Sequence, residues 1–159
     1  MGFAASFIDK STINKGTITN WNWGTPINSS VQNTSYTFPS SGTFPVTLTT
    51  ISDSGCIHDT TLNVLVNPLP IIDFSFSPSS VYTFDTKVCF VNNSTGAISY
   101  LWNFDFTGAN GNSTLTSPCP VLFPSNQENT YLIKLVGVNQ FGCVDSLTKS
   151  LVIKDDFIL

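Results

Sequence analysis

The chain has 159 residues, of which 10% are charged; six lysines stand against ten acids, arginine is absent and the formal charge is −4. Nucleic acid and anionic membrane surfaces both ask for clustered Lys and Arg, so this composition speaks against either as a partner. No run approaches the roughly 20 consecutive apolar residues of a membrane span. Residues 1–5 have neither the basic segment nor the apolar run of a signal peptide.

In chain order, alternating apolar and polar residues predict strands near residues 3–9, 17–24, 33–38, 43–51 and 58–66. Turns fall between them at Asn14-Lys15-Gly16, Ser40-Ser41-Gly42 and Ser52-Asp53-Ser54-Gly55. Asn67-Pro68-Leu69-Pro70 follows. Two prolines within three residues stiffen the backbone and withhold ladder hydrogen bonds, so residues 67–70 read as a linker holding two domains end to end. Further strands are expected near 71–76, 86–92, 97–105, 119–123, 130–139 and 144–153, and the longest polar loop runs from Thr107 to Ser117. No helical periodicity of useful length is present.

Two aromatic pairs anchor this pattern. Trp21 and Trp23 in Asn20-Trp21-Asn22-Trp23-Gly24, and Trp102 and Phe104 in Tyr100-Leu101-Trp102-Asn103-Phe104-Asp105, stand two residues apart, so each pair points to one face of a strand, the core face. The second half of each copy superposes at a constant offset of 87 residues: Gly42 to Leu48 falls on Asn129 to Leu135, Gly55-Cys56 on Gly142-Cys143, and Leu65-Val66 on Val152-Ile153. Upstream the offset is smaller; Phe7 and Ser11 match Phe90 and Ser94, Trp21 is matched to Trp102, and Phe38-Pro39 to Phe123-Pro124. Two copies of one domain, residues 1–66 and 71–154, account for this, with 155–159 as a tail. Copy two opens on the alternating run Ile71-Ile72-Asp73-Phe74-Ser75-Phe76-Ser77-Pro78, for which copy one has no counterpart. The first strand of copy one is expected to be missing or supplied from elsewhere, leaving a sheet edge unpaired.

These motifs resemble the polycystic-kidney-disease (PKD) repeat. The resemblance is carried by Phe90-Val91-Asn92-Asn93-Ser94, Trp102-Asn103-Phe104-Asp105, Tyr131-Leu132-Ile133-Lys134-Leu135 and Gly142-Cys143-Val144-Asp145. It implies an all-β chain of two tandem immunoglobulin-like (PKD-type) β-sandwiches. The family's Gly-Asp-Gly turn is replaced by Gly24-Thr25-Pro26 in copy one and Asp105-Phe106-Thr107-Gly108 in copy two. Cys56 and Cys143 occupy equivalent positions, while Cys89 and Cys119 belong to copy two alone. In an immunoglobulin-like sheet the strands bearing Cys89 and Cys119 are neighbours, which favours that disulfide; Cys89 with Cys143 is the alternative. Four cysteines in a small, strand-rich chain suit an extracellular compartment, and with no leader in view the chain is expected to be excised from a longer protein.

Chemistry is sparse. His58, the only histidine, falls at the start of a strand where its counterpart in copy two is Asp145, which suits a solvated position and not a catalytic triad or a zinc site. The ten acids are scattered, with no matched pair for glycoside hydrolysis. Asp105 with the following Gly-Ala-Asn-Gly-Asn loop supplies one carboxylate, so it is a weak calcium candidate and no cofactor is expected. Most aromatics fall on inward positions; Tyr82, Phe84 and Phe106 are left as candidates for ligand contact. Sequons at Asn28, Asn33, Asn93 and Asn112 mark surface positions, and Asp59-Thr60-Thr61 and Asp145-Ser146-Leu147 resemble O-glycan acceptors of Bacteroidetes.

The tail Lys154-Asp155-Asp156-Phe157-Ile158-Leu159 resembles the opening of the C-terminal sorting domain in gliding-motility surface proteins exported by the type IX secretion system. The resemblance thus implies a non-enzymatic stalk segment of a secreted adhesin on the outer face of a Gram-negative outer membrane. Its partners would be neighbouring domains of one long chain, the secretion machinery and surface polysaccharide. The alternative is a carbohydrate-binding accessory module of a secreted hydrolase.

Overall fold

The computed structural model describes residues 3–108, 111–124 and 127–155, and every regular element in them is a strand. The chain divides into two compact units, Met1–Pro68 and Leu69–Leu159.

Unit 1 contains β1 (Phe3–Phe7), β2 (Ile18–Trp23), β3 (Thr34–Phe38), β4 (Gly42–Ser52) and β5 (Ile57–Val66). They form a two-stranded sheet, β1-β3, and a three-stranded sheet, β2-β4-β5. Alternation explains the layering: Val46 and Leu48 of β4 face inward and are buried with Trp23, Phe38 and Val66, and Phe7, Tyr36 and Phe44 pack around them. Thr47, facing the other way, shares a 2.7 Å hydroxyl hydrogen bond with Thr61 across the β4–β5 ladder.

Unit 2 contains β6 (Phe74–Ser77), β7 (Val81–Tyr82), β8 (Lys87–Asn92), β9 (Ser99–Asn103), β10 (Asn112–Ser113), β11 (Val121–Leu122), β12 (Asn129–Val138) and β13 (Val144–Lys154). Its sheets run β10-β9-β12-β13-β7 and β11-β8-β6, and β7 joins β13 in parallel. Phe74, Phe90, Trp102, Ile133, Leu135 and Leu151, drawn from both sheets, are sealed between them. Both units are therefore β-sandwiches.

The structure corrects one register. Trp23 pairs with Leu48, and Trp102 pairs with Leu135. Leu48 and Leu135 are equivalent at the offset of 87, so Trp23, not Trp21, occupies the place of Trp102. The indole N–H groups agree, Trp23 donating to Val31 O (3.0 Å) and Trp102 to Leu115 O (2.9 Å). Trp21 pairs with Thr50 and Tyr100 with Gly137, which makes those two aromatics equivalent. Copy two carries three aromatics in alternation and copy one only two, so a shift of two residues preserves the pattern.

The two units also differ in strand content. In unit 2, β8 has β11 on one side and β6 on the other. Its counterpart β1 is paired with β3, and among the described residues no strand lies along its other side. In unit 2 that side is tied across the sandwich by Lys149, whose ammonium bonds Asp73 Oδ1 at 2.8 Å and the Phe74 carbonyl, and sits 5.0 Å over the Phe74 ring. The Lys149 contact holds the Asp73 carboxyl below its ordinary value.

Candidate functional site

Of the three candidate aromatics, two come together. Tyr82 ends β7 and Phe84 lies in the turn after it, fixed by Thr83 N–H to Lys154 O (3.0 Å) and Asp85 N–H to Tyr82 O (3.1 Å). Their rings stack at 5.7 Å and 15°, and Phe84 is 74% exposed. Phe106 goes elsewhere: it is half-buried, edge-on to Phe123 (5.2 Å) and Tyr131 (6.1 Å), and closes one end of the unit 2 core.

Asp105 is committed to the backbone. It takes a left-handed conformation (φ 61°), which Asp tolerates because its short side chain bonds nearby main chain. Its Oδ2 accepts the Leu132 N–H at 2.9 Å and its own N–H donates to Asn103 Oδ1 at 2.9 Å, so the carboxylate pins this turn to β12. Among the described residues no three His, Cys, Asp or Glu side chains gather as a metal would need. His58 is exposed on β5, and the hydroxyl of Thr50 donates to its carbonyl at 3.4 Å.

Cys89 and Cys119 form a disulfide, with Cα atoms 4.3 Å apart. Cys56 is an exposed thiol and Cys143 a half-buried one, so the pairing of Cys89 with Cys143 is not formed.

Asp9, just after β1, is a hub that the sequence did not reveal. Its Oδ2 accepts the Trp21 indole N–H (2.7 Å) and the Gln32 amide (3.3 Å), and its Oδ1 accepts the Ser11 N–H (2.8 Å). Partial desolvation pushes its pKa up, but the hydrogen bonds from Ser11, Trp21 and Gln32 outweigh that and hold it below the ordinary carboxylate value. A depressed folded pKa gives stability that is complete above the unfolded value of about 4 and is lost as pH falls through the folded one. Urea midpoints of unit 1 measured from pH 5 down to pH 2 should therefore decline, and Asp9→Asn should flatten the decline. An unchanged acid slope in Asp9→Asn would remove Asp9 from this role.

An apolar concavity of about 600 Å³ lies in unit 1 beside the edge of β1 that has no partner strand among the described residues. Phe7, Trp23, Val46, Leu48, Leu62 and Val64 line it. Leu62 is 67% exposed there. The signal for it was present in the repeat: Leu62 falls, at the offset of 87, on Lys149, the residue that closes this place in unit 2.

No family model matches the chain, and no curated protein does. Among solved structures, the PKD1 domain of Vibrio anguillarum Epp is similar at 20% identity and a TM-score of 0.44, over 57% of this chain and 100% of that domain. A structure from a study of the promiscuous specificity of carbohydrate-binding modules of the β-sandwich superfamily is similar at 26% identity and a TM-score of 0.46. It is matched over 57% of this chain and 36% of its own, so this chain spans about a third of its length.

Proposed function

We propose that the chain is a non-enzymatic stalk segment of a secreted, adhesive cell-surface protein. The observation that carries this reading is the repeated hairpin. β4–β5 and β12–β13 are each hydrogen-bonded over ten residue pairs, in equivalent register, within two separately packed sandwiches. Long antiparallel ladders locked against a core resist extension, and repeating them along one chain makes a spacer. PKD-type sequence motifs and the sorting-domain-like tail extend the proposal to a gliding-motility adhesin of a Gram-negative outer membrane, exported by the type IX secretion system.

A second reading, a carbohydrate-binding accessory module, is favoured by the Tyr82–Phe84 stack, since an exposed ring such as Phe84 can pack on a pyranose face. Pulling single chains in optical tweezers and screening the same protein on a polysaccharide panel separates the two. The stalk reading expects two discrete unfolding steps, with the unit 2 step longer by about 100 Å under reductant as the 30-residue disulfide loop is released. Extension without discrete steps counts against it. Polysaccharide binding lost in Phe84→Ala would replace the stalk by the module.

A further inference from the structure

We propose that the apolar groove of unit 1 binds an extended polypeptide strand with aromatic or branched side chains at alternate positions, which adds antiparallel to the free edge of β1 and completes the sandwich. This does not depend on the stalk reading.

The template is the β6–β8 interface already present in unit 2. There Phe74, Ser75, Phe76 and Ser77 pair with Asn92, Val91, Phe90 and Cys89. Phe74 is fully buried, 5.2 Å from the Trp102 ring and 6.4 Å from Phe90, and Phe76 lies 5.9 Å from Phe90. Unit 1 has the receiving residues for such a strand, Phe7 for Phe90, Trp23 for Trp102, Leu48 for Leu135 and Val64 for Leu151, and among the described residues no strand fills the place. In unit 2 these residues are sealed, whereas in unit 1 they line an open space of about 600 Å³.

The backbone edge is equally ready. Phe90 N–H donates to Pro118 O (3.0 Å) and Asn92 N–H to Ser117 Oγ (3.2 Å), both away from β6, so Cys89 and Val91 face β6. In unit 1 Asp9, equivalent to Asn92, donates its N–H to Asn33 Oδ1 (2.9 Å) beside β3. By alternation Ser6 and Ile8 present their N–H and C=O groups to the open side. A row of unpaired main-chain groups beside an apolar trough is the arrangement that strand addition uses: ladder bonds give affinity and alternate side chains give selectivity.

The groove also states a preference. Lys149 meets the acid Asp73 at the start of β6, but its equivalent is Leu62. The strand for unit 1 therefore carries an apolar residue, not an acid, just ahead of its first buried aromatic.

The test uses the full chain and a labelled peptide, Ile-Ile-Leu-Phe-Ser-Phe-Ser, which is the 71–77 sequence with leucine in place of its aspartate, read by fluorescence anisotropy. Saturable binding is expected, at least tenfold weaker when both phenylalanines of the peptide are replaced by serine. Ile8→Pro, which removes an outward N–H at an edge that tolerates proline, should abolish binding with an unchanged circular dichroism spectrum. Leu62→Lys, at an exposed site, should reverse the preference towards the aspartate peptide, and it serves if Ile8→Pro does not fold. No saturable binding, binding indifferent to both substitutions, or a dimer of the chain dispersed by Ile8→Pro would overturn the proposal, the last by making a second copy the occupant.

Discussion

Trp102→Ala is expected to lower the unfolding free energy of unit 2 by about 3–5 kcal/mol, the range for removing a large buried aromatic. The indole is fully buried, packed on Phe74 (5.2 Å), Phe90 (5.4 Å) and Phe104 (6.2 Å). Its loss opens a cavity between the sheets and leaves the Leu115 carbonyl without its indole donor. Trp21→Ala should cost less, because Trp21 is only half-buried and its N–H goes to Asp9 at the surface of unit 1. Urea unfolding with hydrogen exchange resolved by segment reads the two units separately. Equal losses from the two substitutions would contradict the pairing of Trp102 with Leu135 and of Trp21 with Thr50.

Reduction of Cys89–Cys119, or the double substitution Cys89→Ser with Cys119→Ser, is expected to destabilise unit 2 by about 3–4 kcal/mol, from the loop entropy of a 30-residue closure. For a domain of this size that is a fall in Tm of roughly 10–30 °C. The local ladder explains why the bond matters. In unit 1, β3 is paired to β1 through five residues, whereas β11 holds to β8 through two, Val121 with Val88 and Leu122 with Lys87. The disulfide fastens next to β8 a segment that its own short ladder holds weakly. Calorimetry with and without reductant should move the unit 2 transition and leave that of unit 1 in place; movement of the unit 1 transition would contradict the assignment.

Where side chains alternate over five or more residues, the sequence marked the strands closely. The expectations at 43–51 and 144–153 correspond to β4 (Gly42–Ser52) and β13 (Val144–Lys154). β7 and β10, two residues each, escaped because a pattern of period two needs more than two residues to show itself. The Trp21 match slipped for a related reason, since a periodic row of aromatics looks the same after a step of one period. Phe106 and Asp105 were legible as residues of interest but not in their roles. Whether a ring covers a core end, or a carboxylate pins a turn, depends on Tyr131 and Leu132, far away in the chain. The open edge of β1 could be suspected from the repeat, and the exchange of Lys149 for Leu62 marked the groove beside it, but the remaining lining, Val46, Leu48 and Val64, was placed only when β4 and β5 were set across from it.

The Thr47–Thr61 hydroxyl pair belongs to a wider habit of this surface. Among the described residues there is one salt bridge, Lys149 with Asp73, and both partners are substantially exposed. Hydroxyls and amides do elsewhere what ion pairs do on more charged proteins. Mobile ions screen exposed charges within a Debye length of about 10 Å at 0.1 M and about 3 Å at 1 M, whereas a hydroxyl pair has no net charge to screen. Charge screening thus has little to remove from these sandwiches, and added salt acts on them mainly through the apolar cores, whose burial strongly excluded salts such as sulfate strengthen.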